Sequence, residues 1–182
     1  MSLEHFSAIW APWRVEYFKQ TERRDFFTDA ARTTDDAAHY VVARRKNCFL
    51  MLNGFPYAVG HMMAVPYRKV ADLSDLGDLE RLELLELAEH AQKLLREAVK
   101  AQGFNIGLNL GKCAGAGVAD HLHLHIVPRW DGDNNFMPVL SDTRVLPEAL
   151  DACYRKLMEV QSALARPRPD ADEAAPATGP TC

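Results

Sequence analysis

Asp120-His121-Leu122-His123-Leu124-His125-Ile126-Val127-Pro128-Arg129-Trp130 is the stretch on which the reading of this chain turns. Side chains alternate between the two faces of a strand. An extended segment here puts His121, His123 and His125 on one face and Leu122, Leu124 and Ile126 on the other, toward a core. Three of the seven histidines fall within five positions, which packing alone does not explain. Two chemistries compete. A His-x-His pair on a strand can chelate a metal, so a metal-dependent hydrolase using His121 and His123 is one reading. His121 and His125 are about 13–14 Å apart by strand rise, however, which makes three ligands on one ion awkward. In the other reading one neutral imidazole attacks while its neighbours bind the charge that develops.

The loop just before the histidines favours the second. Gly111-Lys112-Cys113-Ala114-Gly115-Ala116-Gly117 can turn several backbone amides toward an anion. It is neither a Walker loop nor a dinucleotide G-x-G-x-x-G fingerprint. Its place beside three imidazoles points to phosphoryl chemistry.

Working outward, His121 to Pro128 is preceded by a predicted strand over Phe104 to Leu110. Before that, Leu84, Leu87, Ala88, Ala91, Leu94, Leu95 and Ala98 repeat at helical steps and predict a long helix over Leu79 to Gln102, with Gly103 as its stop. His39 to Ala43, Cys48 to Leu52 and His61 to Val65 are predicted strands, and Asn53-Gly54-Phe55-Pro56 is a turn. Leu146 to Ala165 is a second predicted helix, with Pro147 in its first turn. Thr21 to Ala38 is polar and expected to be a loop. His5 to Lys19 is aromatic-rich and needs a surface to cover. Residues 166–182 hold four prolines and no Val, Ile, Leu or Phe, so disorder is expected there. The sum is an α+β class, an antiparallel sheet with one long and one C-terminal helix, in one domain over 1–165 followed by a tail over 166–182.

Composition agrees. The chain has 182 residues, 48% hydrophobic and 25% charged, with a net charge of −4. That is ample for one core without disulfides and argues against a nucleic-acid-coating protein. Cys48, Cys113, Cys153 and Cys182 form no Cys-x-x-Cys pair, so free thiols in a reducing cytoplasm are expected. Glu4, Arg14, Glu16 and Lys19 interrupt any apolar run near the N-terminus, so no secretory signal is expected, and the longest uncharged stretch, Asn47 to Tyr67, is too polar to be expected to span a membrane.

His121-Leu-His123-Leu-His125-Ile126-Val127 resembles the motif of the histidine triad (HIT) family. Asn53 with Gly60-His61, and Asn109-Leu110-Gly111 with Ala114-Gly115, are similar to that family's nucleoside and phosphate elements. Trp10-Ala-Pro-Trp13-Arg14, Pro128-Arg129-Trp130, Asn135-Phe136-Met137-Pro138 and Thr143-Arg144-Val145 resemble the bacterial subgroup related to diadenosine tetraphosphate phosphorylases. The resemblance implies a HIT-like fold and a nucleotidyl hydrolase or transferase acting on dinucleoside polyphosphates. It implies His123 as nucleophile on an α-phosphorus and His121 and His125 as charge-binding neighbours. Asn53 would bind the ribose, and Asn109 with the backbone of Gly115, Ala116, Gly117 and Val118 would hold the phosphate. Activity would fall below about pH 6, where an unperturbed imidazole protonates. A homodimer is implied, with no nucleic acid, membrane or cofactor. A non-catalytic nucleotide-binding adaptor is the other alternative. Many relatives hold a structural zinc through a Cys-x-x-Cys pair, a histidine after Pro-x-Arg or Pro-x-Lys, and the first triad histidine. Here Asp25-Phe26-Phe27-Thr28 and Pro66-Tyr67-Arg68-Lys69 stand in those places, so no metal is expected. Ala116-Gly117 replaces the Gln-Thr of the hydrolase branch, leaving hydrolysis and phosphorolysis both open.

Overall fold

The computed structural model describes residues 26–133 and 148–164. Five strands, β1 (Val41–Arg44), β2 (Cys48–Leu52), β3 (Met62–Pro66), β4 (Gly103–Leu108) and β5 (Leu124–Arg129), form one antiparallel sheet in the order β1-β2-β3-β5-β4. Among the described residues three α-helices accompany it: α1 (Phe26–Arg32), α2 (Asp78–Ala98) and α3 (Leu150–Leu164). The architecture is the α+β class that the sequence predicts.

Alternation along the strands divides the interior in two. Leu50, Leu52, Met62, Ala64, Leu124 and Ile126 face α2, which answers with Leu84, Leu87, Ala88, Ala91, Leu94 and Leu95. Leu87, Leu94 and Leu95 are fully buried, each worth roughly 1.5–3 kcal/mol relative to an exposed position. Phe49, Met51, Met63 and Val65 face the other way, under Phe27 and Ala30 of α1. The triad lies on this second face.

Polar contacts fix α2 on the sheet. Glu80 Oε2 accepts from Gly77 N–H at 2.8 Å, and the same carboxylate takes a two-pronged bond from Arg68 at 2.8 and 2.6 Å. Glu83 accepts from the amides of Asn47 and Cys48 at 2.7 and 3.0 Å, tying the helix to the β1–β2 turn. Pro128 sits within β5 at no cost to β3, because the β3–β5 pairing ends at Ile126.

Several boundaries differ from expectation. The helix ends at Ala98, and the reversal is made by Lys100 at φ 54°, so Gly103 opens β4 rather than stopping α2. The triad strand begins its ladder only at Leu124, and His121 and His123 precede it. The segment expected to be a loop contains α1. The aromatic segment His5 to Lys19, Pro147, and the tail over 166–182 lie outside the described residues.

Candidate functional site

His121, His123 and His125 share the face covered by α1 and are 0, 7 and 8% exposed. The His123 and His125 rings are 4.7 Å apart, nearly edge to face. Phe27 closes the other flank, with its ring 4.9 Å from His123 and 5.2 Å from His121. Across the sheet His125 is opposite Met63 on β3 and Gly107 on β4. A Cβ at Gly107 would meet nothing within 4 Å, so this side of His125 is open to a ligand.

The hydrogen bonds determine where each proton sits. His123 Nδ1 lies 2.8 Å from the carbonyl oxygen of His121. A carbonyl only accepts, so Nδ1 donates and the neutral ring keeps its lone pair on Nε2. Burial holds the His123 pKa below the ordinary imidazole range, partly opposed by the bond to the His121 carbonyl. His61, at the entrance to β3, sets the next tautomer. Its Nδ1 accepts from Tyr57 N–H at 3.1 Å and from the Asn53 amide at 3.3 Å. Nε2–H of His61 therefore donates to His125 Nδ1 at 3.0 Å, and the remaining proton of His125 is on Nε2. That atom is buried and has no hydrogen-bond partner among the described residues. An unmade buried donor is costly and marks a place for a ligand acceptor. Burial first, and the neighbouring rings second, push the His61 pKa down to about 3 and that of His125 to about 4. His61, His123 and His125 are thus neutral near pH 7, and these three rings leave one lone pair (His123 Nε2) and one donor (His125 Nε2–H) for a ligand.

His121 is placed differently from its neighbours. It is fully buried, and its Nε2–H donates to the Pro66 carbonyl at the end of β3, 2.9 Å away. That proton pins the ring to the sheet and is not offered to a phosphate. Asn53 is buried in the β2–β3 turn, with Oδ1 accepting from Phe55 N–H at 2.9 Å. His61, quoted from sequence only for its resemblance, is the polar hub of this turn. It is delivered there by Gly60, at φ 77°, where a Cβ would come within 2.6 Å of Leu95. Phe27 was quoted from sequence only within Asp25-Phe26-Phe27-Thr28, in the place of a Cys-x-x-Cys pair, and not as a neighbour of the triad.

The glycine-rich loop folds on itself. Gly111 and Gly115 take φ of 80° and 88°, and the amides of Ala114, Gly115 and Ala116 donate back to Gly111 and Lys112 at 3.0–3.3 Å. Among the described residues no backbone carbonyl takes the amides of Gly117 and Val118. Val118 packs against the Phe27 cluster. Asn109 follows Leu108, the partner of Leu124, and so enters the loop level with His123.

The described residues do not fit a structural zinc. Among them no group of three or more His, Cys, Asp or Glu side chains is placed so that it could hold a metal ion. Phe27 meets the His121 ring edge to face, with centroids 5.2 Å apart. Lys69 is ion-paired with Asp120 at 2.9 Å, which offsets its charge.

Known proteins resemble this chain in sequence and in fold. The chain is 39% identical over 164 residues to the AP-4-A phosphorylase of Mycobacterium tuberculosis, covering 85% of this chain and 84% of that protein. Its fold is similar to a zinc-bound histidine triad family protein from Mycobacterium smegmatis, with TM-score 0.57, 27% identity, and 69% and 85% of the two chains covered. It is also similar to a diadenosine triphosphate hydrolase of Plasmodium falciparum, with TM-score 0.54 at 21% identity over 69% and 76% of the chains, a likeness of fold alone. The HIT domain family model matches residues 34–132, triad included, and the chain belongs to the HIT family.

Proposed function

We propose that this protein cleaves dinucleoside polyphosphates of the diadenosine tetraphosphate class at an α-phosphorus, through a nucleotidyl intermediate on His123. The observation that carries the reading is the bond from His123 Nδ1 to the His121 carbonyl, which leaves Nε2 as the attacking lone pair. Nε2 forms the P–N bond as the bridging P–O bond breaks and the nucleoside polyphosphate departs. The ring becomes cationic, and the His121 carbonyl accepting from Nδ1–H stabilises that charge. His125 Nε2–H, held outward by His61, donates to the phosphoryl oxygen as its charge grows. Asn109 and the amides of Gly117 and Val118 hold the flanking phosphate. The backbone of Gly115 and Ala116 shapes that loop, and Asn53 meets the ribose. An oxygen of inorganic phosphate or water then forms a bond to phosphorus as the P–N bond breaks. Phosphate yields a nucleoside diphosphate, and water a monophosphate plus a proton. The relationship to a phosphorylase and the loss of the Gln-Thr pair at Ala116-Gly117 favour phosphate.

The test is to incubate the protein with diadenosine tetraphosphate, with and without phosphate, and identify products by mass. Adenosine diphosphate appearing with phosphate supports the reading. No nucleotide product under either condition overturns it. We also propose a reducing cytoplasmic setting, in keeping with Cys48 and Cys153 as buried thiols, and a homodimer. The exposed β4 edge supports the dimer.

A further inference from the structure

The geometry points to Phe27 as the positioning residue of the triad, held in place by Arg44 through the C-terminal end of α1. The phenyl ring is 1% exposed and touches both His121 and His123. Together with the His125 ring at 4.7 Å, it leaves the His123 imidazole little room to turn. A rotation about the ring's bond to Cβ would break the Nδ1 bond to the His121 carbonyl and could bring the wrong nitrogen to the substrate.

A seven-residue helix has little stability of its own, so something must keep Phe27 there. Arg44, on β1, supplies it. Its guanidinium donates to the Ala30 carbonyl at 2.8 Å, to Thr33 at 3.2 Å and to Ala31 at 3.5 Å. It also grips Asp36 at 2.7 and 2.9 Å. These carbonyls are the unsatisfied end of α1, where a cation is favoured by the helix dipole. The planar fork reaches several acceptors at once, which an ammonium cannot do. Sheet edge, helix end, phenyl ring and imidazoles thus form one connected chain. The aromatic clamp holds His123 with packing and hydrogen bonds.

This inference rests on the proposed function only for its kinetic consequence, so the test reads tautomer and turnover separately. The full chain is prepared as wild type and as Phe27→Leu, which keeps an apolar side chain under α1 but removes the flat ring. Nitrogen-15 correlation spectra report the His123 tautomer, and steady-state kinetics use diadenosine tetraphosphate. Wild type should show a single Nδ1–H tautomer at His123. Phe27→Leu should show a mixture, with kcat lowered about 10- to 100-fold, the scale of a small misplacement, and KM unchanged. Arg44→Lys, which leaves Phe27 in the chain, should show the same mixture, and it decides the question if Phe27→Leu does not fold. A single Nδ1–H tautomer retained in the folded variants overturns the inference. So does a mixed tautomer with wild-type kcat, or one zinc per chain bound at His121 in purified wild type. If wild type turns over no dinucleotide, the functional reading fails while the tautomer still decides the clamp.

Discussion

At the scale of single residues, the tautomer chain from Tyr57 through His61 to His125, and the bond from His123 to the His121 carbonyl, make the three triad imidazoles unequal. If His123 supplies the nucleophile, His123→Ala should remove the covalent pathway and lose turnover by several orders of magnitude while still binding nucleotide. Intact-protein mass after an acid-free quench should find an adduct on His123 in wild type and none in the variant. His125→Ala, which deletes one donor to developing charge, should cost about 10²–10³ in kcat. Near-normal turnover in His123→Ala would end the mechanism. The pH profile follows from burial. A protonated imidazole cannot attack, and the His123 pKa is held below the ordinary 6.5. The acid limb of kcat/KM should therefore lie below the fall near pH 6 expected from an unperturbed histidine, and a limb at or above pH 6.5 contradicts a desolvated nucleophile. Stability has its own pH dependence. In the unfolded chain His61 and His125 bind protons near pH 6.5, whereas folded they resist until about 3 and 4. Below 6.5 the unfolded state holds more protons, so stability falls as pH drops, by roughly 1.4 kcal/mol per group per pH unit. Urea unfolding at pH 7 and pH 5 measures the slope, and His61→Gln should reduce it.

At the scale of elements, what was legible from sequence is what has length or alternation. The repeat from Leu84 to Leu95 marked α2 because 21 residues give its period several turns to appear. Alternation marked the triad face, and it persists back to His121 although the ladder starts at Leu124. α1 was not legible, since seven residues hold too few turns for a pattern and Arg44, which bonds its C-terminal carbonyls, lies twelve positions beyond its end. The role of His61 was hidden for a similar reason. Its partner His125 is 64 positions away, and only the β3–β5 pairing brings them together. The β2–β3 turn that aims His61 yields a direct test. Gly60 has φ 77°, and a Cβ there would stand 2.6 Å from Leu95 on α2. Gly60→Ala should cost about 1–3 kcal/mol through overpacking and left-handed strain. It should also lower kcat by shifting His61 against His125. A melting temperature equal to wild type would show that the turn and helix yield more easily than this contact implies.

At the scale of the whole molecule, the sheet of the described residues ends on one side in a strand that the other described residues cover poorly. β4 is last in the order, and Asn105, Ile106 and Gly107 are exposed, with Ile106 at 42%. A bare strand edge is a template for another strand, and proteins normally block it with charge, proline or a covering segment. β4 reads Gly-Phe-Asn-Ile-Gly-Leu, with no charge and no proline. A second copy meeting this edge would continue the sheet across two chains through backbone hydrogen bonds. It would also bring two triads into one particle, because β4 borders β5. Light scattering at micromolar concentration should give about twice the 20.4 kDa chain mass. Ile106→Asp places a charge at the seam on a side chain that is not in the site, so it should shift the mass toward one chain without unfolding the protein. A wild-type mass of one chain removes the dimer. A dimer that survives Ile106→Asp unchanged moves the contact away from β4, leaving α2, whose exposed Leu79, Leu82 and Leu85 form the other uncovered apolar stripe among the described residues.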